Sequence, residues 1–137
     1  MLGVDIVSNE RIRRSLETFG ERFLKRIYTP REVEYCRSFA DPVPCLAARW
    51  AVKEAVIKAY FQLFGKVLRF KQIEVLGRKG YPAAAIIAGE EGKRLEELKL
   101  QLVISLAHER DYSVAVAQIV RRDTPLGGAS SPTASAS

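Results

Sequence analysis

The sequence predicts an α+β domain, an antiparallel sheet with helices packed on it. Three observations carry that reading. A short apolar segment at 2–7 opens the chain with strand character. Helical patterning then dominates from residue 9 to about residue 59. Four strand-like segments follow, at 72–76, 83–88, 101–107 and 112–120. Helices and strands grouped in separate runs favour α+β. The chain has 137 residues, the length of one domain and enough to bury roughly two-thirds of its unfolded surface.

The elements follow in order. The opening LGVDIV is apolar except for Asp5. A continuous apolar strand is usually buried on both faces, and a carboxylate within one is costly unless it is hydrogen-bonded or binds a metal. Residues 9–27 repeat Ile12, Leu16, Phe19, Phe23, Leu24 and Ile27 at helical intervals, with a break near Gly20. Arg11, Arg14, Arg22, Lys25 and Arg26 make this segment basic. Thr29-Pro30-Arg31-Glu32 is a helix start, with Thr29 as N-cap, Pro30 at the first position and Glu32 at N3. That helix runs to about Phe39, and Asp41-Pro42-Val43-Pro44 is a loop.

Residues 47–59, AARWAVKEAVIKA, place Arg49, Lys53, Glu54 and Lys58 on an otherwise apolar helix. A helix apolar nearly all round belongs in a core. Arg49 and Lys53, and Glu54 and Lys58, are each four residues apart and so neighbour each other on its surface. One carboxylate among three cations suits a site for an anionic ligand and a metal ion, or two internal ion pairs without chemistry. After the helix, GRKGYP at 77–82 is a turn between two strands, and 90–100 is a short amphipathic helix. Residues 1–122 form the domain; 123–137, small and polar, make a tail expected to be disordered.

Composition narrows the function classes. A net charge of +6 favours an acidic partner or a polyanionic ligand. No apolar run approaches the roughly 18 residues of a membrane span, and the N-terminus reads as a strand, not a secretion signal. A cytoplasmic, membrane-free protein is expected. Cys36 and Cys45 match no metal spacing and read as free thiols in a reducing compartment. The single histidine, His108, excludes a multi-histidine metal site.

Five elements in order resemble one known family. They are Gly3-Val4-Asp5-Ile6, RFLKRIYTPRE at 22–32, LAARWAVKEAVIKA at 46–59, the turn with Gly80 and Pro82, and SLAHE at 105–109. Together they resemble the 4′-phosphopantetheinyl transferase family, in its short holo-acyl-carrier-protein synthase type, over residues 2–120. The resemblance implies the fold of that family. It also implies transfer of the phosphopantetheine arm of coenzyme A to a serine of an apo acyl carrier protein, with release of adenosine 3′,5′-bisphosphate, in fatty-acid synthesis. Asp5 and Glu54 match the carboxylates that hold Mg²⁺, and Lys58 matches a lysine on the pyrophosphate. Lys53, beside the metal carboxylate Glu54, is also assigned to neutralising phosphate. Arg49 and His108 match positions near the 3′-phosphate and adenosine, and Gly80 and Pro82 the adenine-side loop. Glu54 or His108 is the general base. Arg11 matches an arginine that docks the acidic carrier, with Arg14, Arg22 and Arg26 as neighbours. The resemblance further implies a homotrimer with sites between subunits.

The match has gaps. The family follows KA with a Gly-Thr-Gly stretch on coenzyme A, where this chain has YFQLFG. Ala107 replaces a hydroxyl residue before the histidine, and the N-terminus is slightly shorter. A weakened relative that binds coenzyme A or carrier without turnover is therefore an alternative. A nucleic-acid-binding module is another, but it lacks a recognition motif and leaves Asp5 and Glu54 unexplained.

Overall fold

The computed structural model describes residues 1–77 and 80–122. The expected tail at 123–137, and Arg78 and Lys79 of the turn, lie outside the described residues. Strand β1 (Leu2–Ser8) is followed by helices α1 (Asn9–Phe19), α2 (Glu21–Ile27), α3 (Pro30–Arg37) and α4 (Val43–Phe64). After a short 3-10 turn at Phe70–Gln72 come β2 (Ile73–Leu76), β3 (Ala84–Ile87), α5 (Glu90–Glu97), β4 (Leu100–His108) and β5 (Tyr112–Arg121). The antiparallel pairs form two sheets, one ordered β1-β5-β4 and one β2-β3. The α+β expectation holds, with α4 against the larger sheet and α3 against α4 and β2.

Local chemistry explains most boundaries. Ser8 caps α1 by accepting the Arg11 backbone N–H at 3.2 Å. Gly20, at φ +54°, separates α1 from α2. Thr29 and Glu32 form the expected capping box: the Thr29 hydroxyl accepts the Glu32 N–H, and the Glu32 carboxylate accepts the Thr29 N–H. Two boundaries differ from expectation. Val43 and Pro44 belong to α4 and not to the loop, because a proline in the first turn loses no intrahelical bond. The same helix runs past Ala59 to Phe64. Tyr, Phe, Gln and Leu continue a helix where Gly-Thr-Gly would end it. Gly65, at φ +68°, supplies the left-handed termination five residues later than expected.

Helix α4 is the core. Leu46, Ala47, Ala51, Val52, Ala55, Val56 and Ala59 are buried, which bears out its all-round apolar pattern. It lies across β1 and β5, whose inward residues include Val7, Ala115, Ala117 and Ile119. The approach is unusually close. A Cβ on Gly3 would stand 2.0 Å from the Ala55 carbonyl oxygen and 2.9 Å from the Ala59 nitrogen. β1 is buried on this side only. Leu2, Val4 and Ile6 alternate to the outer face and are exposed at 54%, 54% and 64%, contrary to the expected burial on both faces. The same face carries Val103, Tyr112 and Val116, also exposed.

The cysteines differ from expectation as well. Cys36 and Cys45 form a disulfide between α3 and α4, with Cα atoms 5.4 Å apart. Folding turns the end of α3 back against the start of α4, and this sets two residues nine apart at bridging distance.

The Gly3 contact generates a prediction. Gly3→Val forces β1 off α4, so it should destabilise the fold by about 1–3 kcal/mol or more, as overpacking does. Chemical denaturation would check it; an unchanged midpoint would show that the strand can shift freely.

Candidate active site

The close packing of β1 on α4 builds the first part of the site. Gly3, Asp5 and Val7 share the face of β1 turned toward the helix, and Asp5 meets the residues one turn beyond Ala55. Lys58 Nζ donates to Asp5 Oδ1 at 3.2 Å and to the Val4 carbonyl at 3.1 Å. The Asp5 side chain keeps only 16% of its exposure, against 51% for Lys58. Glu54 belongs to the same cluster. Burial, and then the charge of Asp5, raise the proton affinity of its carboxyl, while Lys58 and Arg11 oppose the shift. A carboxylate whose charge is disfavoured by a second one beside it is suited to sharing a cation with it. Mg²⁺ is commonly held by one or two carboxylates, with phosphate oxygens and water completing its shell. Among the described residues no group of three or more His, Cys, Asp or Glu gathers.

A second part lies at the N-terminal half of α4. Arg49, Tyr35, Cys45, Gly77, Gly80 and His108 line a cavity of about 640 Å³. Arg49 is buried. It donates from Nη2 to the Gly77 carbonyl at 3.3 Å and from Nη1 to Cys45 Sγ at 3.3 Å, and its guanidinium lies 4.8 Å from the Tyr35 ring centre. Its Nε has no hydrogen-bond partner among the described residues. Burial lowers its pKa, partly countered by the charge of Glu32. Pro82 borders an adjoining hollow with Arg31 and Arg49. The structure thus brings Arg49, Gly80, Pro82 and His108 to one region, as the sequence reading had grouped them.

His108 ends β4, opposite Ser113. Its position depends on a residue the sequence reading missed. Asn9 is buried at the start of α1. Its Nδ2 donates to the carbonyls of Glu109 and Arg110 at 3.0 and 3.1 Å, and its Oδ1 accepts from Ser113 Oγ at 2.9 Å. The Asn9 backbone N–H donates to Asp111 O at 2.8 Å. All of these bonds grip the turn that follows His108. A lone Asn after a Ser N-cap carries no sign of partners a hundred residues away.

Lys53 requires correction. It is fully buried, with its ammonium 2.7 Å from Glu32 Oε1. It also donates to the carbonyls of Ile27, Phe70 and Ile73 at 2.9, 3.1 and 2.7 Å. A cation so enclosed has no face for a phosphate, and its pKa is lowered chiefly by burial. The expected pairing of helix neighbours also shifts. Lys58 binds Asp5, and Lys53 binds Glu32 and not a residue of its own helix.

The basic segment borders the carboxylates. Arg11 lies 5.5 Å from the ring centre of Trp50, which is itself stacked between Phe23 and Phe70. The charge of Arg11 reaches Glu54. Arg14, Arg22 and Arg26 are exposed on α1 and α2, with Arg22 over the Phe19 ring at 5.8 Å. The positive surface therefore begins at the site and continues along two short helices.

The chain is similar to known proteins over nearly all of the described residues. The model of the 4′-phosphopantetheinyl transferase superfamily matches residues 1–117. A holo-[acyl-carrier-protein] synthase of Aquifex aeolicus is 56% identical over 124 residues, covering 89% of this chain and 99% of its own length. One from Leptospira biflexa is 45% identical over 116 residues, covering 84% and 91%. Among solved structures, a Helicobacter pylori holo-[acyl-carrier-protein] synthase in complex with coenzyme A superposes with a TM-score of 0.72 at 28% identity, covering 87% of this chain and 99% of the other. The Chronobacterium ammoniagenes complex with CoA gives 0.73 at 30% identity, covering 88% and 96%. The fold, the order of its motifs and these relatives agree: the chain belongs to the 4′-phosphopantetheinyl transferase superfamily and is a transferase of the holo-acyl-carrier-protein synthase type.

Proposed function

We propose that this transferase moves the 4′-phosphopantetheine arm of coenzyme A onto a serine hydroxyl of an acidic acyl carrier protein, with Mg²⁺, and releases adenosine 3′,5′-bisphosphate. The observation that carries this reading is the meeting of Asp5, Glu54 and Lys58 at the edge of the Arg11 helix. A pyrophosphate needs cations around it, and a serine nucleophile needs a proton acceptor nearby. Both needs are met where the carrier-binding surface would begin.

The serine oxygen forms a bond to the phosphorus that bears the pantetheine, and the bond to the departing bisphosphate breaks. Positioning and charge neutralisation dominate such a reaction. Asp5 and Glu54 are the residues that would hold Mg²⁺, which when bound supplies positive charge at the pyrophosphate. The Lys58 side chain is half-exposed, and its Nζ is placed to exchange the Asp5 oxygen for a phosphate oxygen. Glu54 is the preferred acceptor of the serine proton, because its raised proton affinity brings it closer to a working base than an ordinary carboxylate. His108 borders the Arg49 cavity instead, on the side assigned to the nucleotide. Arg49, planar and always charged, suits the 3′-phosphate, and Gly80 and Pro82 suit the adenine side. Lys53 supports α4 from within and leaves the phosphates to Lys58 and Arg49.

Arg11, with Arg14, Arg22 and Arg26, is assigned to carrier docking, since complementary charge gives steering and register. The outer sheet face of Leu2, Val4, Ile6, Val103 and Val116, all exposed, is assigned to contacts between copies in a homotrimer, since neighbouring exposed apolar residues favour an interface. A role in fatty-acid synthesis and a cytoplasmic setting come with the family resemblance alone. No helix among the described residues is long and apolar enough to cross a membrane.

Incubation with apo carrier, coenzyme A and Mg²⁺ should add a phosphopantetheine mass to the carrier, and EDTA should abolish the gain. Glu54→Gln or Asp5→Asn should lower the rate by roughly 10²-fold or more with the fold intact. Wild-type turnover in either variant would sink the carboxylate assignment. No mass gain alongside retained coenzyme A binding would favour the weakened relative. Arg11→Glu should raise KM for carrier much more than KM for coenzyme A; equal rises would remove Arg11 from the docking surface. Sedimentation equilibrium should return three 15.3 kDa chains per particle, and a monomer at assay concentrations would overturn the trimer.

A further inference from the structure

We propose that Cys36 and Cys45 form a redox-responsive site in the wall of the Arg49 cavity, where a dithiol reductant acting on their disulfide weakens the cavity's hold on a nucleotide phosphate. The proposal rests on assigning that cavity to the nucleotide end of coenzyme A.

Three features converge. The disulfide ties α3 to α4 directly beside the cavity. Cys45 is half-buried and lines the cavity, whereas Cys36 is wholly buried, so Cys45 Sγ is the sulfur an incoming thiolate can reach. Cys45 Sγ is also one of the two acceptors of the Arg49 guanidinium, at 3.3 Å. The bridge therefore touches the very cation proposed to hold phosphate. Tyr35, the neighbour of Cys36, supplies the ring 4.8 Å from that guanidinium, so the tether fixes both walls of the cation's seat.

The exchange balances as follows. One thiolate of the dithiol attacks Cys45 Sγ, the S–S bond breaks, and Cys36 leaves as a thiolate that takes up a proton. The second thiolate of the dithiol then attacks its own sulfur in the mixed disulfide and releases Cys45. The protein disulfide gains two electrons and two protons, and the dithiol is oxidised to a disulfide. Two consequences act in the same direction. The link holding Tyr35 and Arg49 together is gone. The Cys45 sulfur, no longer fixed by the bridge, is free to leave its place beside the guanidinium, so Arg49 loses a contact that orients it.

Adenosine 3′,5′-bisphosphate is the suitable probe, because unlike coenzyme A it carries no thiol. Titration calorimetry on the full chain would compare the oxidised protein with protein reduced by dithiothreitol and freed of it by desalting. Thiol counting would follow the bridge, and circular dichroism would follow the fold. Reduction should yield two thiols in a folded chain and raise Kd roughly five-fold or more. The C36S/C45S variant should bind with a Kd indifferent to reductant. Equal Kd in the two redox states, with two thiols counted, would overturn the proposal. So would a disulfide that survives the reductant in the folded protein, or a reductant effect that persists in C36S/C45S. Absence of bisphosphate binding in both states would remove the nucleotide assignment and this proposal together, while carrier modification would remain a separate test of the transferase reading.

Discussion

The buried pair of Lys53 and Glu32 is the contact on which the arrangement of the helices depends. Neither side chain is exposed, and they meet at 2.7 Å. Glu32 caps its own helix at Thr29 and also accepts the Val75 N–H at 2.6 Å. Lys53 gathers carbonyls from the end of α2, the 3-10 turn and the start of β2. One ion pair thus closes hydrogen bonds from five elements. Taking charges out of water is costly, and such a pair is tolerable because its remaining donors and acceptors are satisfied. Loss of one partner would leave the other charged and buried, at a cost of about 3–5 kcal/mol. The pair specifies where α4 sits, and every part of the site is referred to α4.

The same helix serves opposite tasks on adjacent residues. Successive helical residues point about 100° apart, so Lys53 enters the interior while Glu54 turns toward β1. Lys58, one turn beyond Glu54, stays at the edge and meets Asp5. This division needs β1 to lie close, and Gly3 permits it by leaving room for the Ala55 carbonyl. Asp5 is then carried to Lys58 by strand geometry alone, two residues on along the same face.

Much of this could be read before folding. The capping box at Thr29, the break at Gly20, the apolar circumference of α4 and each strand of both sheets follow from local patterning, since their causes lie within a few residues. The site residues were legible in a different way. Asp5, Glu54, Lys58 and Arg49 stand out because charge in an apolar setting is costly and therefore calls for a reason; His108 enters only through its match to the family's motif. That criterion cannot tell a buried structural pair from a ligand site. Lys53 is the case in point: its partner, Glu32, also caps α3, and local pattern marks only the cap. The late end of α4 had a local cause too, in residues that continue a helix where glycines would stop it.

By itself the sequence determined the kinds and order of the elements, the α+β class and the family, because propensity, capping and motif order are properties of neighbouring residues. Tertiary structure decided which charges face each other. It paired Lys53 with Glu32 and Lys58 with Asp5, joined Cys36 to Cys45, and set Asn9 against a turn a hundred residues away. It also left one side of β1 uncovered in the single chain. These outcomes depend on distances through space, and periodicity along a chain does not encode them.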